Sequence, residues 1–255
     1  MKLYNFLAIV ALLSLLNSCG EEDNGGNEDD NMSQPVFHLS YDDADRFIDL
    51  TERSVLSLPK NSPNLSNESP NTIDKSIYFN EDEIIRIENN SFLNLNTDFT
   101  VSFWVKGNSN FDTYYDAKVA LYGRHGNMSK FNIYNTGTAW GQVTDWGKPN
   151  LWAFVIMEDN EHRDQVALDY ELDSQAWNFL TAVRRDNQLE IWVNGNLAAT
   201  ESIKNSLDFD LKYDSAFVGG NTEHPSNELY GSLFDLRVYQ EALSADEIKT
   251  IMENI

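Results

Sequence analysis

The side chains best suited to chemistry in this chain are aromatic and acidic. Trp140, Trp146 and Trp152 fall in the stretch from Asn135 to Trp152, which is longer and more aromatic than a plain hairpin connection requires. Sugar rings present apolar C–H faces that stack on flat aromatic rings, while neighbouring amides and carboxylates read their hydroxyls. Tyr134, Asn135, Gln142 and Asp145 supply that polar complement, so Trp140, Trp146, Trp152, Tyr134, Gln142 and Asp145 are the candidate ligand-binding residues. The competing reading is that the tryptophans cover a sheet end. It weighs most on Trp152, which alternates with Ala153 inside an apolar strand.

Asp169, Glu171 and Asp173 alternate and on a strand would share one face. Paired carboxylates are what glycoside hydrolysis requires, but this run reads as a strand end facing solvent. His38, His125, His162 and His224 are scattered without ligand spacing or a nearby nucleophile. Neither a phosphate-binding loop nor a Ser-His-Asp order stands out. Cys19 is the only cysteine, which rules out a disulfide within the chain and a cysteine-based zinc site. No catalytic residue is assigned.

The elements that must position these groups read as short strands with turn signals between them. Candidates are Ser76–Phe79, Ile84–Ile87, Phe99–Lys106, Val119–Tyr122, Phe131–Tyr134, Leu151–Met157, Gln165–Leu172, Leu189–Val193, Ala216–Val218 and Leu233–Tyr239. Asn194-Gly195 supplies the pair of positive φ angles that a type I′ hairpin turn needs. One helix is predicted, opened by the capping box Ser244-Ala245-Asp246-Glu247 ahead of Ile248, Ile251 and Met252. Residues 52–75, with Pro59, Pro63 and Pro70 among Ser and Asn, read as a long irregular loop. Without helical periodicity between strands, a parallel α/β sheet is disfavoured.

The N-terminus reads as a processing signal. Phe6 to Leu16 is apolar apart from Ser14, too short for a bilayer span of about 20 residues but suited to a secretory signal. Leu16-Asn17-Ser18-Cys19-Gly20 resembles a bacterial lipobox, which implies cleavage after residue 18 and lipidation of Cys19. The Glu, Asp, Gly and Asn that follow cannot bury enough surface to offset ordering, so residues 19–35 are expected to be a disordered tether. That acidic tract resembles the one in surface-exported lipoproteins of glycan-foraging Gram-negative bacteria, which implies the exterior of the outer membrane. The remaining 36–255 fits a single domain. A formal net charge of −23 argues against nucleic acid or anionic lipid as partner, leaving the lipid as the only membrane attachment.

Five ordered segments carry a resemblance to a family. They are Ser76-Ile77-Tyr78-Phe79-Asn80 with Ile84–Ile87; Phe99-Thr100-Val101-Ser102-Phe103-Trp104-Val105-Lys106; Trp177-Asn178-Phe179-Leu180-Thr181-Ala182-Val183; Leu189 to Gly195; and Gly231 to Tyr239 followed by Ala242-Leu243-Ser244-Ala245-Asp246-Glu247-Ile248. Their order resembles the bacterial laminin-G-like branch of the concanavalin A-like lectin/glucanase superfamily. The resemblance implies an all-β fold, a jelly-roll β-sandwich of two curved antiparallel sheets with one short C-terminal helix. It also implies that Trp104, Trp177 and Trp192, which fall in family strands, pack the core or the sheets.

The Glu-x-Asp-x-x-Glu pattern of glucanases on this fold is missing, so an enzyme is disfavoured. The family often holds one calcium ion through an N-terminal acid and an acid of the closing strand. Here Phe234 replaces one closing acid and Asp235 remains, while Asp45-Arg46-Phe47-Ile48-Asp49 replaces the usual glycine turn. A solvated acidic loop is the favoured reading, and a structural Ca²⁺ on Asp45 and Asp235 the alternative. No other cofactor is implied. The fold does not fix function. Three functions remain: a non-catalytic module binding polysaccharide or glycoprotein glycan, a structural or protein-interaction module, and, least favoured, a divergent glycoside hydrolase. The tryptophan-rich stretch favours the first.

Overall fold

Alternation of apolar and polar residues along short segments builds two antiparallel sheets, because period-2 side chains can bury only one face against a partner. The computed structural model of the chain describes residues 32–59, 61–80, 83–88, 97–107, 118–125, 128–135, 151–157, 162–204, 215–220 and 229–255. Ser33–Ile255 forms one compact unit.

The first sheet has nine strands. Its main path runs β14 (Asn196–Ser202), β13 (Gln188–Val193), β12 (Asn178–Arg185), β7 (Phe99–Gly107), β16 (Gly231–Tyr239), β1 (Phe37–Tyr41) and β2 (Phe47–Asp49). β5 (Ser76–Phe79) also pairs with β16, and β4 (Asn64–Ser66) pairs with β5. The second sheet has seven strands in the order β11 (Arg163–Ala167), β10 (Trp152–Met157), β9 (Met128–Asn135), β8 (Lys118–His125), β15 (Ser215–Val218), β6 (Ile85–Glu88) and β3 (Val55–Ser57).

Phe99, Val101, Phe103 and Val105 alternate along β7 and enter the core that also holds Phe154, Trp152, Ile85 and Ile87. Phe99 meets Phe154 edge-on with ring centroids 5.6 Å apart, and Phe103 meets Trp152 at 5.9 Å, tying the two sheets together. Of the family-strand tryptophans, Trp104 is half-buried against Phe179 at 5.2 Å. Trp192, also half-buried, donates its indole N–H to Glu190 at 2.8 Å.

The helix α1 (Ala245–Glu253) begins where the capping box placed it: the Ser244 hydroxyl accepts the Glu247 amide at 3.3 Å, and the Glu247 carboxylate accepts the Ser244 amide at 2.7 Å. Its lead-in is fastened to the outer side of the nine-stranded sheet. Thr100 donates to the Glu241 carbonyl at 2.8 Å and accepts the Leu243 amide at 3.0 Å, while Arg185 donates to the Leu243 carbonyl at 2.7 Å. Ile248 and Ile251 are buried. At the hairpin between β13 and β14, Asn194 and Gly195 adopt φ of 48° and 73°, the positive pair of a type I′ turn.

Two expectations change. The segment expected to be an irregular loop over 52–75 contains β3 and β4, which pair with β6 and β5. Pro59 and Pro63 keep each to three residues, since proline cannot donate to a ladder. The strand expected over Gln165–Leu172 is β11, Arg163–Ala167, and it stops before the acids. The Leu168 amide closes on the Trp152 carbonyl at 3.0 Å, and the chain turns where Ala176 bonds back to Asp173. Asp169, Glu171 and Asp173 therefore share no strand face, and all three are exposed.

Candidate functional site

β16 is the strand that organises the site. Along one edge it pairs with β7; along the other it pairs with β5 at Gly231–Leu233 and with β1 at Arg237–Val238. Two different partners on one edge leave a seam between them. At the seam the register shifts between Phe234 and Arg237, and Asp235 takes a φ of 56°. Such a bulge re-aims a side chain at a cost in backbone strain that aspartate tolerates better than most residues.

The re-aimed carboxylate is 7% exposed. Its Oδ1 lies 2.7 Å from His38 Nε2 and accepts Arg237 Nε at 2.8 Å, while Oδ2 is buried without a hydrogen-bond partner. Burial opposes the Arg237 charge, but the Asp235 carboxylate beside it more than offsets this and raises the guanidinium above its ordinary range. Burial likewise pushes the Tyr239 phenol up, against the pull of Arg237.

His38 is held from behind: its amide donates to Asp49 Oδ1 at 3.0 Å. The same carboxylate accepts the Thr51, Arg53 and Ser54 amides and the Thr51 and Ser54 hydroxyls, which fixes the turn after β2.

A cavity of about 270 Å³ opens at the seam, lined by His38, Ser40, Tyr41, Lys75, Phe234 and Arg237 among others. Tyr41 Oη accepts the Lys75 amide at 2.8 Å, leaving its own proton free to donate, and the Lys75 ammonium reaches Asp45 at 2.7 Å. The arrangement offers hydrogen-bond donors and acceptors over a partly apolar floor. A His–Asp pair is an acid–base element, but no hydroxyl or thiol bonds to His38 among the described residues.

Of the six ligand-binding residues expected from sequence, the structure describes two, Tyr134 and Trp152. Trp140, Trp146, Gln142 and Asp145 lie outside the described residues. Trp152, expected among the ligand-binding residues, is instead a core side chain, 7% exposed between the sheets. Tyr134 lies in a separate cluster with Ile84, Ala153, Val155 and Phe217 and is 5% exposed. Burial pushes its phenol to about 12, against the opposing pull of Arg163. Both rings are covered, so neither presents a face on which a sugar could stack.

The calcium alternative meets an unsuitable donor set. Asp235 already faces His38 and Arg237, and exposed Asp45 is paired with Lys75. Among the described residues no three His, Cys, Asp or Glu converge as ligands, whereas Ca²⁺ takes six to eight oxygens. Sequence reasoning missed His38, Tyr41 and Arg237 as site residues; the one local signal was the alternation of Asp235 with Arg237 on the closing strand.

Comparison with known proteins agrees with this architecture. The family described as the concanavalin A-like lectin/glucanases superfamily matches residues 79–249. Among solved structures, the receptor binding domain of botulinum neurotoxin C/D mosaic serotype is similar at a TM-score of 0.65 and 15% identity, covering 86% of this chain and 51% of that one. The botulinum neurotoxin serotype D ligand binding domain in complex with N-acetylneuraminic acid gives 0.62 and 12%, covering 86% and 50%. The botulinum neurotoxin DC binding domain in complex with rat synaptotagmin II gives 0.64 and 14%, covering 86% and 51%. The chain thus spans about half the length of these proteins, and the likeness is one of fold. Among curated protein sequences none matches.

Proposed function

The chain belongs to the concanavalin A-like lectin/glucanases superfamily, and from that premise we propose that it is a non-catalytic module that captures glycan at the cell surface. The observation that carries this reading is the company its fold keeps: structures similar to it include receptor- and ligand-binding domains, one of them bound to N-acetylneuraminic acid. Against hydrolysis, the alternating acids Asp169, Glu171 and Asp173 sit in an exposed irregular segment, where no strand holds them across a bond. The module is lipid-anchored through Cys19 after loss of residues 1–18, spaced by the acidic 19–35 tether and exposed on the outer membrane.

A second reading, capture of a protein, is favoured by the neurotoxin domain in complex with rat synaptotagmin II. Affinity electrophoresis of the full chain through gels containing plant, algal and host polysaccharides decides between them. Retardation by a polymer supports glycan capture. Uniform mobility in every gel rejects it for that panel and favours the protein partner.

A further inference from the structure

We propose that the seam cavity between β1 and β5 is a subsite for one neutral sugar ring, bound by His38, Tyr41, Asp74 and Arg237 over the ring of Phe234. This rests on the glycan-binding reading and assigns it a location.

Three observations meet at this spot, two of them on Asp235. The first is the cavity itself, about 270 Å³, just below the ~300–1,000 Å³ typical of small-molecule pockets and so sized for a single ring. The second is backbone strain: Asp235 occupies the left-handed region at φ 56°, and such conformations persist where the surroundings enforce them, often at ligand sites. The third is an unbalanced carboxylate, with two donors on Oδ1 and none on the buried Oδ2. Stability alone would favour pairing both oxygens or replacing the acid, since a buried unpaired acceptor is costly. Local rules broken together at one cavity mark a functional site.

Both signs of charge line the cavity. Asp74 and Asp235 stand beside Arg237 and a Lys75 already paired with Asp45, so a ligand there meets acceptors as well as donors. A neutral sugar hydroxyl both donates and accepts, and it meets partners of both kinds here. Arg237 gives its Nε to Asp235 and also meets the Tyr239 phenol, which leaves part of its guanidinium as a donor. Tyr41 has a proton to give, and Asp74, whose Oδ2 accepts Asn71, keeps Oδ1 as an acceptor. Phe234, half-buried, offers an aromatic face for the C–H side of a ring. Asp235 is a positioning residue, because its oxygens are buried and it acts through His38 and Arg237.

The test is affinity electrophoresis of the full chain in laminarin, xyloglucan and gastric mucin gels, with His38→Ala, Tyr41→Phe and Phe234→Ala beside it. Thermal melting confirms that each variant folds. Tyr41→Phe removes a single oxygen and guards against loss of fold in the others. The expected result is retardation by at least one polymer, weakened tenfold or more by His38→Ala and Phe234→Ala and about threefold by Tyr41→Phe. Retardation equal to wild type in all folded variants overturns the subsite and leaves glycan binding standing. Unretarded wild type in all three gels overturns both.

Discussion

Asp49→Asn isolates the contact on which the site's geometry rests. The Asp49 carboxylate is buried and serves six donors: the amides of His38, Thr51, Arg53 and Ser54 and the hydroxyls of Thr51 and Ser54. Asparagine keeps the shape but turns one oxygen into an NH2. With its remaining oxygen on the His38 and Thr51 amides, the new donor faces the Arg53 and Ser54 amides, at present 3.2 and 3.0 Å from Oδ2. Each amide stranded this way costs about 1–3 kcal/mol. Glu52 and Arg53 are exposed, so water recovers part of the loss. The expected destabilisation is about 3 kcal/mol, read from urea unfolding followed by tryptophan fluorescence, as a lower midpoint at unchanged slope. A change below about 1 kcal/mol would refute the reasoning, since it would mean that the turn after β2 holds without its carboxylate.

Tyr134→Phe tests the buried cluster on the seven-stranded sheet. A phenol raised from 10.0 to about 12 contributes stability that is fully present below pH 10 and lost as pH rises through 12. Wild type should therefore lose about 2–3 kcal/mol relative to the variant across that window, and parallel alkaline melting curves would contradict it. Gly219→Ala combines a φ of 82° with a methyl group driven into the Phe79 ring. It should cost more than about 3 kcal/mol, seen as a sharp drop in melting temperature or soluble yield. Cys19→Ser should abolish incorporation of labelled palmitate and release the chain from membranes, whereas labelling retained in the variant would remove the anchor.

Much of the fold was legible because its signals are local. The Asn194-Gly195 turn, the β-branched and aromatic run of β7 and the Ser244 capping box each sit within a few residues of what they specify. β3 and β4 were not legible, since three residues carry no periodicity and their existence depends on pairing with β6 and β5. Trp152 was ambiguous for a related reason: β10 is apolar on both faces, so alternation could not say which side is core. The seam shows the limit most clearly. His38 and Asp235 are 197 positions apart, and only the split edge of β16 brings them to 2.7 Å.

The most direct measurement incubates the full chain with polysaccharides while following both retention on the polymer and the release of new reducing ends. Retention with no reducing ends released is the expected result and identifies glycan capture without cleavage. Release of reducing ends, or no retention on any polymer, would contradict it.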